Sequence, residues 1–252
     1  MISVVLPCVN ELRHGYLPKI IKNLQAQQGD KELIAVVSPS TDATLACLEA
    51  APQIRVIESD AQNRAQRLNV GIQASQGQVV LLHHPATLLP PITALRQTDQ
   101  TFHDPEVMWS GFCHQFDLDH WLLHYTSWYS SKIRPYWGRI LYLDHCVAVR
   151  RSLLDDIGGV PDMDIFEDTA LSRRLGQYGP PVMLSDHIVT SARRYRDRGV
   201  YRQALMNQTL KVMYHLNLDP KWMNRLYERK VQINVTYADG EVSATKSAKL
   251  DR

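Results

Sequence analysis

The first 90 residues alternate short apolar runs with helical patterns, and this alternation constrains the fold more than any other feature of the chain. Residues 2–7, 32–37, 54–57 and 78–82 read as strands. They are continuously apolar rather than alternating, as strands buried on both faces of a mostly parallel sheet are. Between them, Leu17, Ile20, Ile21 and Leu24 recur at helical spacing before the Gly29-Asp30 break. Ser40-Thr41-Asp42 offers capping oxygens ahead of a helix at 43–50, and 63–75 forms a third helix that stops near Gly77. Strand and helix repeated in this order predict an α/β fold, a Rossmann-like sheet flanked by helices. Ligands of such folds bind in the loops beyond the strands' carboxyl ends.

The second half is less regular. Residues 109–146 carry Trp109, Phe112, Phe116, Trp121, Tyr125, Trp128, Tyr129, Tyr136, Trp137 and Tyr142. Aromatic side chains mainly supply core area, so the segment predicts an amphipathic helix that packs most of them on the sheet, with the remainder free to line a sugar-sized cleft. Further along, 146–149, 182–184 and 188–190 read as short strands, 168–179 as a helix and 201–216 as a long C-terminal helix. Residues 231–252 are read as a mobile tail, small and polar from 238 onward.

Composition narrows the class. Of 252 residues, 44% are hydrophobic, and 28 Lys+Arg against 26 Asp+Glu leave a net charge of +2. The chain is therefore globular, with no global field to hold nucleic acid. Cys8, Cys47, Cys113 and Cys146 lie far apart, without the close pairs of a zinc or redox site, and are expected to be reduced and mostly buried. The N-terminus lacks the pattern of a signal peptide, and nowhere do 18 apolar residues run together, so a cytoplasmic protein is expected.

Four stretches could carry chemistry. After Gly158-Gly159, the acidic pair Glu167-Asp168 opens a helix with Leu171 and Leu175 on its apolar side. Acids in a first turn serve the helix dipole, but capping needs only one; the other reading is a general base at the mouth of a cleft. Between 193 and 202 stand Arg193, Arg194, Arg196, Arg198 and Arg202. The cluster is either a solvated face or, through arginine's fork of donors, a diphosphate site. His83 and His84 end the fourth strand, where they could ligate a metal, bond a phosphate or simply be structural. His120 and His124 have the i, i+4 spacing of a metal pair, but no Glu follows His120 as in the metalloprotease arrangement. No Gly-x-Gly-x-x-Gly follows the first strand, which argues against a dinucleotide-binding dehydrogenase.

Together the segments resemble a family-two glycosyltransferase of the GT-A fold, and most resemble the small soluble bacterial branch of radical-SAM/selenodomain-associated transferases. Residues 2–7 with Asn10-Glu11, Ser40-Thr41-Asp42-Ala43-Thr44, the stretch from Asn63-Arg64-Ala65 through Leu81, and residues 158–175 followed by Thr190-Ser191-Ala192-Arg193-Arg194 occur in the family's order. The resemblance implies an inverting hexosyltransferase that takes a nucleoside-diphosphate sugar as donor and a sugar, lipid or small molecule as acceptor. It matches Pro7, Asn10 and Glu11 to the first nucleotide loop, Arg64 and Asn69 to the segment approaching the donor, Asp168 of Glu167-Asp168 to the catalytic base, and Asp144 to a further acidic position. Arg193 and Arg194 match basic residues near the diphosphate. By the same resemblance, residues 1–230 form one domain, with a nucleotide-sugar half at 1–108, an acceptor and catalytic half at 109–200, and C-terminal helices at 201–230.

Two positions depart from the family. In the family the fourth strand usually ends in an Asp-containing metal motif, of the form His-Ala-Asp-Thr in the branch that this chain most resembles; here the run is His84-Pro85-Ala86-Thr87. The second-strand loop, which in the family carries an Asp that contacts base or ribose, reads Ser38-Pro39-Ser40. Three readings follow. The arginines and His84 replace a Mn or Mg ion, or His83 or His84 with Asp144 binds the metal differently, or the protein binds a sugar, nucleotide or partner without turnover. Peripheral contact with a membrane is left open.

Overall fold

The structure, a computed structural model, describes residues 1–12 and 15–228. Its strands are β1 (Ile2–Cys8), β2 (Lys31–Val37), β3 (Ile54–Glu58), β4 (Val79–Leu82), β5 (Thr87–Leu88), β6 (Trp109–Phe116), β7 (Val147–Arg150) and β8 (Val182–Thr190). They form one sheet in the order β3-β2-β1-β4-β7-β6-β8-β5. The first four pair in parallel, β7 runs antiparallel to both β4 and β6, and β8 runs parallel to β6. The carboxyl ends of β1, β4, β6 and β8 therefore share an edge with the start of β7.

The continuous apolar runs are explained by burial on both faces. Val4, Leu6, Val79 and Leu81 face one core with α1 (Leu17–Gln25), while Val5, Val80 and Leu82 face the other with α3 (Arg64–Ala74). Helix α3 approaches β1 so closely that a Cβ on Gly71 would lie 2.3 Å from Val5 Cγ1. The remaining helices are α2 (Thr44–Glu49), α4 (Ala94–Thr101), α5 (Trp121–Lys132), α6 (Arg134–Trp137), α7 (Arg151–Asp156), α8 (Glu167–Leu175), α9 (Arg193–Arg198), α10 (Val200–His215) and α11 (Pro220–Glu228).

The region 109–146 departs from the sequence expectation. Its first eight residues are the buried strand β6, and helices α5 and α6 follow. Trp109 and Phe112 are core, but Trp121, Tyr125, Trp128, Tyr129, Tyr136 and Trp137 are exposed. Helix α5 is amphipathic in the inverse sense. It turns Leu123, Ser127, Ser130 and Ser131 inward, where Ser131 Oγ accepts the backbone N–H of His114 at 2.9 Å. The small serine face lets the helix lie close on β6, and the aromatic face is left outside. Residues 182–190 form one strand rather than two, with a register shift against β6 between Phe112 and Cys113. All four cysteines are free, and Cys8, Cys113 and Cys146 are buried. The tail at 231–252 lies outside the described residues.

Candidate active site

A cavity of about 730 Å³ opens along the shared sheet edge. Pro7 sits near the end of β1 and Glu11 beyond it, His84 to Ala86 follow β4, His114 and Phe116 end β6, Thr190 ends β8, and Ser191, Arg193, Arg194 and Tyr195 follow it. Asp144 reaches it from a 3-10 turn (Leu143–His145) that enters β7, and Asp168 from the start of α8. Arg64 and Arg67 of α3 and Arg134, Tyr142 and Lys211 complete the charged wall. Six Lys and Arg side chains line the cavity against the three acids Glu11, Asp144 and Asp168, so its field favours an anion although the whole chain is nearly neutral.

The backbone places the acidic pair. Gly158 and Gly159 have φ of 73° and 74°, and a Cβ on Gly159 would lie 2.6 Å from Asn69 Oδ1. Asn69 clamps this turn at both ends of the next residue, accepting the N–H of Val160 and donating to its carbonyl, each at 2.8 Å. Phe166 then adopts a left-handed conformation, φ 65°, and α8 begins. Glu167 is buried and accepts a hydrogen bond from Arg64 Nε; Asp168 faces the cavity 4.0 Å from Arg64 Nη2. Burial, with the neighbouring charge of Glu167, raises the Asp168 carboxyl to about 6 against the pull of Arg64. Its Oδ1 accepts the N–H of Thr169 at 2.7 Å.

Asp144 is held differently. Burial opposes its charge, but His114, His145, Arg134 and His84 outweigh that and lower it to about 2. His114 Nε2 lies 3.6 Å from its Oδ2 and His145 Nε2 3.9 Å from Oδ1. The His84 ring is lowered by burial and by the Arg64 charge, with Asp144 pulling the other way. Its Nδ1 accepts the N–H of Ala86 at 3.3 Å, so Nε2 carries the ring proton and is a donor. Arg193 pairs with buried Glu11 at 3.5 Å, and Arg194 lies 4.3 Å over the Tyr227 ring.

The structure brings Pro7, Glu11, Arg64, His84, Asp144, Asp168, Arg193 and Arg194 to the cavity. It keeps four expected residues behind it. Ser38 donates to the carbonyl of Ala61 and accepts from Arg67, Asn69 serves the glycine turn, Asn10 accepts the N–H of Thr41 at 2.7 Å, and Glu167 anchors Arg64. The other arginines of the cluster do not line the cavity; Arg196 pairs with Asp117 at 3.0 Å. His120 caps α5 and His124 bonds Asp119 on the surface, and neither lines the cavity. Sequence reasoning missed Arg67, Arg134 and Lys211, whereas Tyr142 is one of the aromatics of 109–146 that were free to line a cleft. Arg67 lies inside the stretch around Asn63-Arg64 that was singled out and is buried with burial lowering it to about 10, whereas nothing in local spacing marks Arg134 or Lys211.

The donor set does not suit a divalent ion. Ala86, beyond the end of β4, offers no carboxylate at the position that the sequence resemblance matches to a metal ligand, and among the described residues no group of three or more His, Cys, Asp or Glu could hold a metal.

A mixed sheet with helices on both faces and a cleft at its carboxyl edge is the GT-A fold of glycosyltransferases, and solved structures agree. The Staphylococcus aureus protein TarS superposes with a TM-score of 0.62 at 15% identity, over 90% of this chain and 42% of that one. Residues 1–349 of TarS in complex with UDP-GlcNAc give 0.60 at 16%, over 75% and 58%. The mannosyltransferase PcManGT from Pyrobaculum calidifontis, in complex with GDP-Man and Mn2+, gives 0.62 at 18%, over 98% and 79%. This chain thus spans less than half the length of TarS. No curated protein matches it. Residues 3–158 match the model of glycosyl transferase family 2, and the chain belongs to that family.

Proposed function

We propose that the protein transfers a hexosyl group from a nucleoside-diphosphate sugar to an acceptor hydroxyl with inversion, and that arginines rather than a metal carry the diphosphate charge. The observation that supports this best is Asp168, a raised carboxyl facing a cavity whose charged side chains are mostly cationic. In the reaction the acceptor oxygen attacks the anomeric carbon from the face opposite the diphosphate. Its proton passes to Asp168, and the bond from carbon to diphosphate oxygen breaks with its electron pair leaving on the phosphate. Arg193, Arg194 and the Nε2–H of His84 face the charge that develops there. Glu167 and Arg64 act one step back: the buried Glu167 holds Arg64 beside Asp168, which keeps the base ionisable.

In this reading the donor lies against residues from 1–108 together with Arg193 and Arg194 at the start of α9. The acceptor enters from the side of Tyr125, Tyr129, Trp137 and Lys211. Placement in the radical-SAM/selenodomain-associated branch rests on the sequence motifs alone. Nucleoside diphosphates should raise the melting temperature, and Asp168→Asn should keep that shift while losing transfer. If none shifts the melt, the donor site is misassigned. The replacement of the metal-motif carboxylate by Ala86 favours a second reading, a sugar- or nucleotide-binding module without turnover; transfer that disappears in Asp168→Asn eliminates it.

A further inference from the structure

The outward face of α5 and α6 is built for something other than water. Trp121, Tyr125, Trp128 and Tyr129 fall at i, i+4, i+7 and i+8, an arc of one helix side, and Tyr136 and Trp137 extend it through α6. Trp137 is 90% exposed and Trp121 63%. Helix α10 joins this face at its N-terminus, where Trp121 Nε1 donates to the Tyr201 hydroxyl at 3.3 Å and the His120 ring packs edge-on at 5.5 Å. Along α10 the exposed Tyr201, Leu205, Val212 and Leu216 continue as a single apolar stripe, with Leu205 70% exposed. Contiguous exposed apolar surface of this kind marks a binding face.

The charge pattern names the partner. Acids make up 26 of 252 residues, yet residues 120–143 and 198–218 contain none. These two stretches are far apart in sequence and adjacent in space, and their charged side chains are all basic. Lys132, Arg139 and Arg202 are exposed; Arg134 and Lys211 point into the cavity. Tryptophan and tyrosine settle at the boundary between lipid and water, and dispersed basic groups are drawn to anionic headgroups. A protein partner with discrete carboxylates would not require acids to be missing from two whole segments.

We propose that α5, α6 and the outer side of α10 dock on an anionic membrane surface. No helix among the described residues is long and apolar enough to cross a membrane, so the contact is peripheral. Tyr125, Tyr129 and Trp137 are exposed and also line the cavity, so docking seats its mouth at the bilayer. If the transferase reading holds, the acceptor is then a hydroxyl borne by or delivered at the membrane. The docking itself does not depend on that reading.

The full chain sedimented with phosphatidylcholine vesicles, with and without phosphatidylglycerol, tests this directly. Binding is expected on the anionic vesicles and is expected to weaken in high salt. Trp128→Ser with Leu205→Ser, and separately Lys132→Glu with Arg202→Glu, change only exposed side chains. Each pair should weaken binding about tenfold or more, with circular dichroism and melting temperature retained. A nucleoside diphosphate melting shift preserved in both pairs separates docking from the donor site. Absence of binding to anionic vesicles overturns the proposal. So does unchanged binding by both pairs, or a concentration-dependent dimer that Trp128→Ser with Leu205→Ser abolishes in a protein that ignores lipid.

Discussion

Asp168 shows how one carboxyl is tuned for proton transfer. Its value of about 6 is set first by burial and then by Glu167, with Arg64 working against both. A base must be ionised to act, so kcat/KM should rise with pH through about 6 and level off above it. Transfer assayed across that range with a nucleotide sugar checks this; a profile flat through pH 6 removes Asp168 from the role. Asp168→Asn should lower kcat roughly 10²- to 10⁴-fold. Stability follows the opposite sign. The folded value lies above the ordinary 3.8, so folding favours the protonated form and loses stability as pH rises from about 4 to about 6. Asp168→Asn removes that loss. It should melt above the parent protein at pH 8, with the gap shrinking toward pH 4, a gain in stability bought with activity.

At the scale of elements, the first half of the fold was legible because its physics is local. Strands buried on both faces must be continuously apolar, and the Leu17 to Leu24 spacing admits only one helix face toward the sheet. Gly71 shows how tight that packing is. Gly71→Ala places a methyl group where Val5 and Val36 already stand, and should cost about 1–3 kcal/mol in urea unfolding with the m-value unchanged. Helix α5 was misread for an equally physical reason. Its aromatics have helical spacing, but spacing reveals only that two faces differ, and here the serine face meets the sheet. The two-residue β5 and the short helices α7 and α9 carry too few residues for any period to register.

Across the whole molecule, the site gathers side chains from residue 7 to residue 227, and such convergence is a property of topology that no local pattern contains. The motif stretches contain residues that face the cavity, such as Glu11 and Arg64, beside Ser38, Asn69 and Asn10, which hydrogen-bond within the neighbouring loops, and spacing alone does not separate the two. Arg67, Arg134 and Lys211 became visible only when α3, α6 and α10 met around one volume. That assembly gives the last prediction. Arg194 stacks on Tyr227 with Nη1 buried and without a hydrogen-bond partner among the described residues, an arrangement that is costly unless an anion supplies the acceptor. Charge-assisted bonds of this kind contribute about 1.5–3 kcal/mol, so Arg194→Met should weaken nucleoside diphosphate binding about 10- to 100-fold while leaving the bare nucleoside's affinity unchanged. If cations of the chain carry the diphosphate, calorimetry of the parent protein should give the same Kd with chelator as with added manganese. Affinity that collapses on chelation would instead mean that Asp144 and its histidines recruit an ion in spite of Ala86.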